Sequence, residues 1–141
     1  MKYLAMLLLC VAASAGAITN PDAPAYVDDF QARMAAYDAR LANASTTRAM
    51  NQASTDMAQA LDDELNTAYK QLMTRLTPTQ QAGLRASQRR WLAFLDAEFE
   101  FLNRLFTRES HGTSAALDVG QARNALVRAR ARTLWSYLEQ R

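Results

Sequence analysis

Two strongly periodic segments joined by a single Thr-Pro constrain the fold more than any other feature of the sequence. Between residues 61 and 76, apolar side chains recur at spacings of three and four, which places them on one face of an α-helix. Residues 84–106 repeat this spacing. Thr77 is a predicted N-cap, with Pro78 at the first helical position and Gln80 completing a capping box. The sequence therefore predicts a long helical hairpin.

One further helix is predicted before this hairpin and one after it. Residues 26–41 form a short amphipathic segment, which precedes a predicted helix over residues 46–76. The next helix is predicted to run from residue 78 to about 109 and to end at Gly112, a residue type that favours helix C-termini. A last helix follows, and its predicted apolar face comprises Leu117, Val119, Ala122, Leu126, Ala129, Leu134, Tyr137 and Leu138.

Long amphipathic helices with short connections pack as antiparallel neighbours. The predicted fold class is therefore all-α: a small antiparallel helical bundle of about four helices, built on the long hairpin. Composition agrees with this fold, since the chain has 141 residues, is 50% hydrophobic, and contains only 4 Gly and 3 Pro.

The N-terminus has the organisation of a secretory signal. Lys2 precedes an apolar stretch over residues 3–13, and small residues follow up to Ala17, which predicts cleavage after Ala17. Residues 18–25 contain two prolines and no periodicity, so they are predicted to be an exposed leader before a helical domain at residues 26–141. The chain is therefore predicted to be periplasmic or secreted. No other stretch approaches the ~20 apolar residues that a membrane span needs.

Cysteine usage and charge narrow the range of functions. Cys10 is the only cysteine and lies in the signal, behind Leu9, where a lipoprotein would carry a small residue. Lipidation is therefore disfavoured, and the mature chain should have no disulfide and no thiol nucleophile. Loss of Lys2 with the signal removes one of 16 basic residues, leaving 15 against 14 acidic ones. This net charge of +1 argues against a nucleic-acid partner.

No cluster of reactive side chains predicts catalysis. The acidic run at residues 62–64 cannot converge on one metal ion, because successive helical residues point about 100° apart. Asp96, Glu98 and Glu100 lie on one helix rather than across a cleft, as glycoside chemistry would need. His111 is the only histidine and is predicted to lie in a turn. We therefore predict a non-enzymatic protein with no catalytic, cofactor-binding or metal-binding residues.

An ordered set of polar, aromatic and apolar residues runs through the hairpin and into the last helix. It includes Asp62, Leu65, Asn66, Tyr69, Gln88, Trp91, Asp96 and Arg130. This pattern, over roughly residues 42–138, resembles the lysozyme inhibitor LprI-like N-terminal domain family of small, mostly helical, exported bacterial domains. The resemblance implies binding to lysozyme or another cell-wall-active protein in the periplasm. The alternative is a periplasmic interaction or envelope-stress module with a different protein partner.

The chain departs from this family in its cysteines. Family members usually carry cysteines at the positions aligned with Ala53, Phe99 and Ala122, and another near Ala42. All of them are absent here, which is what removal of whole disulfides would leave, because an orphan thiol is a hazard in an oxidising compartment. The chain is therefore predicted to be a disulfide-free member.

The pattern residues are predicted to be structural. Trp91 is predicted to be core; the alternative is that Trp91, Gln88 and Tyr69 form a hydrogen-bonded layer, because buried Tyr, Trp and Gln need partners. Arg130 is predicted to pair with Asp62 or Asp96 inside the bundle, because a buried guanidinium requires a partner. Two surfaces remain as hypotheses for partner binding. The acidic surface comprises Asp63 and Glu64. The basic surface comprises Arg128 and Arg132.

Overall fold

Four long helices and one short helix make up residues 24–140, the part of the chain that the computed structural model describes. They are α1 (Tyr26–Ala42), α2 (Thr47–Arg75), α3 (Pro78–Leu105), α4 (Arg108–His111) and α5 (Ala115–Glu139), with a 3-10 turn at Gly112–Ser114. The predicted fold class, a small all-α helical bundle, is confirmed. The predicted signal peptide and most of the predicted leader lie outside the described residues.

The helix boundaries follow caps that are legible in the sequence. Thr46 caps α2, since its hydroxyl accepts a hydrogen bond from the backbone N–H of Ala49 at 3.1 Å. Thr77 caps α3, with Pro78 in the first turn. The Gln80 Oε1 atom accepts a hydrogen bond from the Thr77 backbone N–H at 3.0 Å, which completes the predicted capping box. The two halves of the hairpin are thus joined within two residues.

The third helix ends earlier than the sequence predicts. α3 stops at Leu105, and Thr107 begins α4 with a second capping box formed with Ser110. The prediction of one helix up to about Glu109 is wrong, because these two hydroxyl side chains give the backbone a local alternative to a continuous helix. Gly112 does end a helix, but that helix is α4, and its φ of 60° suits a residue without a Cβ.

The hydrophobic core lies between α1, α2 and α5. Phe30 of α1 is 1% exposed, and the small residues Ala68 of α2 and Ala131 of α5 are 0% exposed. Small side chains at a helix contact let the two backbones approach closely, and α2 and α5 form the most extensive helix pair of the bundle. The core is completed by Val27, Met34, Met57, Leu61, Leu65, Leu72, Val127, Leu134, Trp135 and Leu138, with Leu84 and Leu95 added from α3.

The buried face of α5 agrees with the predicted one only in part, since Leu117, Leu134 and Leu138 are buried as predicted. Val127, Ala131 and Trp135 are buried, whereas Tyr137, which was predicted to be buried, is 43% exposed. Leu126 is only partly buried. The prediction was wrong here because α5 contacts α1 and α2 on one side and α3 on another. It therefore carries two apolar stripes, and the apolar spacing alone does not predict which of them is more deeply buried.

Helix α3 packs through one face, and it approaches α5 more closely than α2. Its buried residues are Leu84, Leu95 and Leu102. Trp91, which was predicted to be core, is only partly buried at the edge of the core. The rest of the helix surface stays open, and its exposed large apolar residues are Leu92, Phe94, Phe101 and Leu105. Because α3 leans onto α5, a gap remains between α3 and α2.

Candidate partner-binding site

A groove between α2 and α3 contains most of the family-pattern residues. It is lined by Asp62, Leu65, Asn66 and Tyr69 from α2 and by Arg85, Gln88, Arg89 and Leu92 from α3, and we call it the α2–α3 groove. Its volume is about 470 Å³ and it opens to solvent. The α2 residues meet there because spacings of three and four place them on one side of the helix. Part of the sequence pattern therefore lies on an open groove, with Asn66 exposed and Leu65 buried at its base.

Arg130, a pattern residue outside the groove, contacts α3 through neutral side chains. Its Nε donates to Gln88 Oε1 at 3.1 Å, and its Nη2 donates to Ser87 Oγ at 3.1 Å. The predicted pairing of Arg130 with Asp62 or Asp96 is therefore wrong. Burial lowers the pKa of the Arg130 guanidinium from its ordinary value. Partial exposure to water and the two hydrogen bonds replace the acidic partner that full burial would require.

The cation that pairs with Asp62 is Arg123. Its Nη2 lies 3.7 Å from Asp62 Oδ2. Its guanidinium carbon also lies 4.9 Å from the centroid of the Phe99 ring, so one side chain of α5 contacts both α2 and α3. Sequence reasoning missed Arg123. The available signal was its spacing of seven residues from Arg130, which places both arginines on the same face of α5.

Hydrogen-bond donors exceed acceptors in the α2–α3 groove. Arg85 and Arg89 are exposed, and neither has an ion-pair partner within residues 24–140. In the same part of the chain, the side chains of Asn66 and Tyr69 make no hydrogen bond. Asp62, the one acid lining the groove, is already paired with Arg123. The groove is therefore positively charged and suits a ligand rich in acceptor oxygens.

A comparison with protein families places the groove within a known family. Residues 30–134 match the family described as Lysozyme inhibitor LprI. The chain belongs to the LprI lysozyme inhibitor family. The match covers most of α1, all of α2 and α3, and most of α5, so the entire α2–α3 groove lies inside it. Searches of curated proteins and of solved structures returned no significant match.

The acidic surface predicted for partner binding in this LprI-family chain divides into two roles. Glu64 is a link in the bundle, because its Oε2 accepts a hydrogen bond from Trp135 Nε1 at 3.0 Å and one from Arg33 Nη2 at 2.8 Å. This hydrogen bonding raises the pKa of Arg33 from its ordinary value. Asp63 is exposed and accepts a hydrogen bond from Gln59 at 3.2 Å. Only Asp63 is therefore accessible to a partner.

The basic surface divides in the same way. Arg128 binds Asp38 through two hydrogen bonds, at 3.0 and 2.7 Å, which ties α5 to α1. Arg132 is exposed and has no ion pair in the described part of the chain. Of the two arginines predicted from the sequence, Arg132 is the one open to a partner.

Neither a metal centre nor a membrane helix is evident within residues 24–140. In that range, no group of three or more His, Cys, Asp or Glu side chains is arranged to hold a metal ion. None of the helices formed by these residues combines the length and hydrophobicity that crossing a membrane requires. His111 lies at the exposed end of α4, where its Nδ1 is 2.8 Å from Ser110 Oγ and its ring packs edge-on against Phe106.

Proposed function

We propose that this LprI-family chain is exported and inhibits lysozyme, or another cell-wall-active protein, by binding it through the α2–α3 groove. The observation that carries the proposal is the convergence of Asp62, Leu65, Asn66, Tyr69 and Gln88 on one solvent-open groove. The family match supplies the class of partner. Leu65 is buried in the core beneath the groove, whereas Asp62, Asn66, Tyr69 and Gln88 keep exposed surface that a second protein can reach.

The chemistry of the partner suits a groove rich in donors. Lysozyme cleaves glycosidic bonds with two carboxylates that flank the scissile bond. Two mechanisms compete: an acidic face of this chain docks on a basic surface of the enzyme, or an arginine of this chain engages the carboxylates of its cleft. The second is better supported, because Glu64 is engaged inside the bundle while exposed arginines border the groove.

An inhibition assay tests the proposal. At low salt, the purified chain at micromolar concentration should slow the hydrolysis of cell-wall substrate by lysozyme, and added salt should weaken the effect. Asp63→Lys tests the acidic face, and Arg132→Glu tests the basic face of α5. Both variants should leave the fold unchanged, because these side chains are exposed. If the unmodified chain leaves lysozyme activity unchanged at low salt, inhibition of lysozyme is wrong and the interaction-module alternative replaces it.

Export is tested by the N-terminus of the protein that cells accumulate. Cleavage after Ala17 should give a periplasmic or secreted chain that begins at Ile18. Cleavage after Ala15, the alternative small residue, would give a chain that begins at Gly16. Intact-mass measurement on the periplasmic and medium fractions distinguishes these forms. A pool that retains Met1 in those fractions would contradict cleavage.

A further inference from the structure

We infer that Arg85 and Arg89 form a two-pronged binding site for a pair of carboxylates on the protein partner. We call these two residues the arginine pair. The inference rests on the proposed function, because it names the groups on the partner that the α2–α3 groove addresses. Those groups are acidic side chains presented close together, as they are in the cleft of a glycoside hydrolase.

The spacing of the arginine pair matches such a target. Arg85 and Arg89 are four residues apart on α3, so they lie on the same side of the helix with Cβ atoms about 5 to 6 Å apart. The two carboxyl groups of a retaining glycoside hydrolase are separated by about 5 to 5.5 Å. Because both flexible side chains extend from the same side of α3, one guanidinium can reach each carboxylate, and its planar fork allows two parallel hydrogen bonds to it.

The arginine pair has no ion-pair partner within residues 24–140, and it is distinguished from the other unpaired cations of that range by lining the α2–α3 groove. Other guanidinium groups in residues 24–140 already lie beside a carboxylate, and these belong to Arg33, Arg40, Arg104, Arg123 and Arg128. Within that range Arg85 and Arg89 have no such neighbour. A carboxylate that approaches them displaces water and no internal ion pair.

The surroundings of the arginine pair favour a protein segment over a small molecule. The groove is open, and Leu92, one turn beyond Arg89, is 45% exposed at its edge. Small ligands bind in concave sites that bury most of their surface, whereas an open groove with an exposed apolar side chain beside charged groups is typical of protein interfaces. Asn66 and Tyr69 lie across the groove as further polar partners.

A peptide titration tests the arginine pair independently of lysozyme. The probe is a hexaglutamate peptide, with hexaglutamine as the uncharged control, added to the ¹⁵N-labelled chain while the arginine Nε–Hε signals are followed by NMR. The signals of Arg85 and Arg89 should shift in a saturable manner with hexaglutamate and stay unchanged with hexaglutamine. Arg85→Gln with Arg89→Gln should raise the dissociation constant about tenfold or more, because it removes both charge-assisted contacts.

The matched control is Arg48→Gln with Arg108→Gln, which removes the same charge from two exposed arginines at the starts of α2 and α4. It should change the dissociation constant no more than about twofold. Equal losses in the two double variants, or signals of Arg85 and Arg89 that never saturate, would overturn the inference. Thermal unfolding followed by circular dichroism should give the same midpoint for both variants.

The same variants separate this inference from the proposed function when they are tested against lysozyme. If the unmodified chain binds lysozyme and Arg85→Gln with Arg89→Gln binds about tenfold more weakly, both statements hold. If that variant binds lysozyme as tightly as the unmodified chain, the arginine pair is wrong while inhibition stands. If the unmodified chain binds hexaglutamate through Arg85 and Arg89 but does not bind lysozyme, the enzyme assignment fails and the carboxylate site stands.

Discussion

Replacing Trp135 with alanine should lower the free energy of unfolding by about 3 to 5 kcal/mol, the usual range for removing a large aromatic side chain from a core. Trp135 is 3% exposed. Its ring is stacked on Tyr26 with centroids 5.8 Å apart, and its Nε1 donates to Glu64 at 3.0 Å. The substitution therefore leaves a cavity and also removes one donor from a shielded carboxylate. Urea unfolding followed by circular dichroism measures the loss.

Two control variants show whether the loss comes from core volume, from the hydrogen bond or from any tryptophan. Trp135→Phe keeps most of the ring volume and loses the N–H donor, so it should cost about 1 to 2 kcal/mol. Trp91→Ala should cost less than about 2 kcal/mol, because Trp91 is only partly buried at the edge of the core. A larger loss for Trp91→Ala than for Trp135→Ala would contradict the placement of Trp135 within the core and of Trp91 at its edge.

Glu64→Gln should lower the free energy of unfolding by about 1.5 to 3 kcal/mol, the usual range for a hydrogen bond to a charged group. The Glu64 carboxylate accepts hydrogen bonds from Arg33 and Trp135 together, and its side chain is 14% exposed. A glutamine replaces one carboxylate oxygen with an NH2 group, so the negative charge and the hydrogen bond from Arg33 Nε to Oε1 are lost, even where the remaining oxygen still accepts from Arg33 Nη2 and Trp135 Nε1. The loss is measured by the same urea unfolding.

The neighbouring acid supplies the matched control for Glu64. Asp63→Asn removes the same charge at an exposed position, where the carboxylate accepts a hydrogen bond from Gln59 alone. It should change the free energy of unfolding by no more than about 0.5 kcal/mol. If Glu64→Gln has as small an effect as Asp63→Asn, the link from α2 to α1 and α5 contributes nothing to stability.

Local signals in the sequence were sufficient for the helices and their caps. Thr77, Pro78 and Gln80 predict the start of α3 correctly because a capping box is decided within four residues. The end of α3 was predicted incorrectly for a related reason. Thr107 and Ser110 also form a capping box, but the apolar spacing that continues to Phe106 masks it.

The faces of the helices were harder to predict, because a face depends on where the neighbouring helices lie. Trp91 and Trp135 are equally apolar in the sequence, yet one lies at the edge of the core and the other within it. The difference arises because α3 packs mainly against α5, whereas α5 packs against α1, α2 and α3. A single amphipathic period does not record how many neighbours a helix has.

The groove shows the same limit at the level of the site. Asp62, Asn66 and Tyr69 share a helix face by spacing alone, so their proximity was readable from the sequence. That this face meets Gln88 across an open groove depends on the tilt of α3 onto α5, which no local pattern encodes. Arg85 and Arg89 were not predicted as site residues, because they belong to no sequence motif. Their relevance comes from their position in the groove beside the pattern residues.

Two of the positions at which family members carry cysteines lie on helices that arginine contacts link in this chain. Phe99 lies on α3, and Ala122 lies on α5 beside Arg123. In this chain the Arg123 guanidinium over the Phe99 ring and the Arg130 contacts to Ser87 and Gln88 link α5 to α3 without covalent bonds. The position of α3, and therefore the width of the groove, depends on these noncovalent contacts.

The most direct test of the account is to map the surface on which lysozyme binds. Adding unlabelled lysozyme to the ¹⁵N-labelled chain should perturb backbone and side-chain amide signals of residues 62–69 and 85–92, including the side-chain amides of Asn66 and Gln88. Signals of α1, on the far side of the core from α3, should stay unchanged. Perturbations centred on α1, or no perturbation at micromolar concentrations and low salt, would contradict the α2–α3 groove as the site at which this LprI-family chain binds lysozyme.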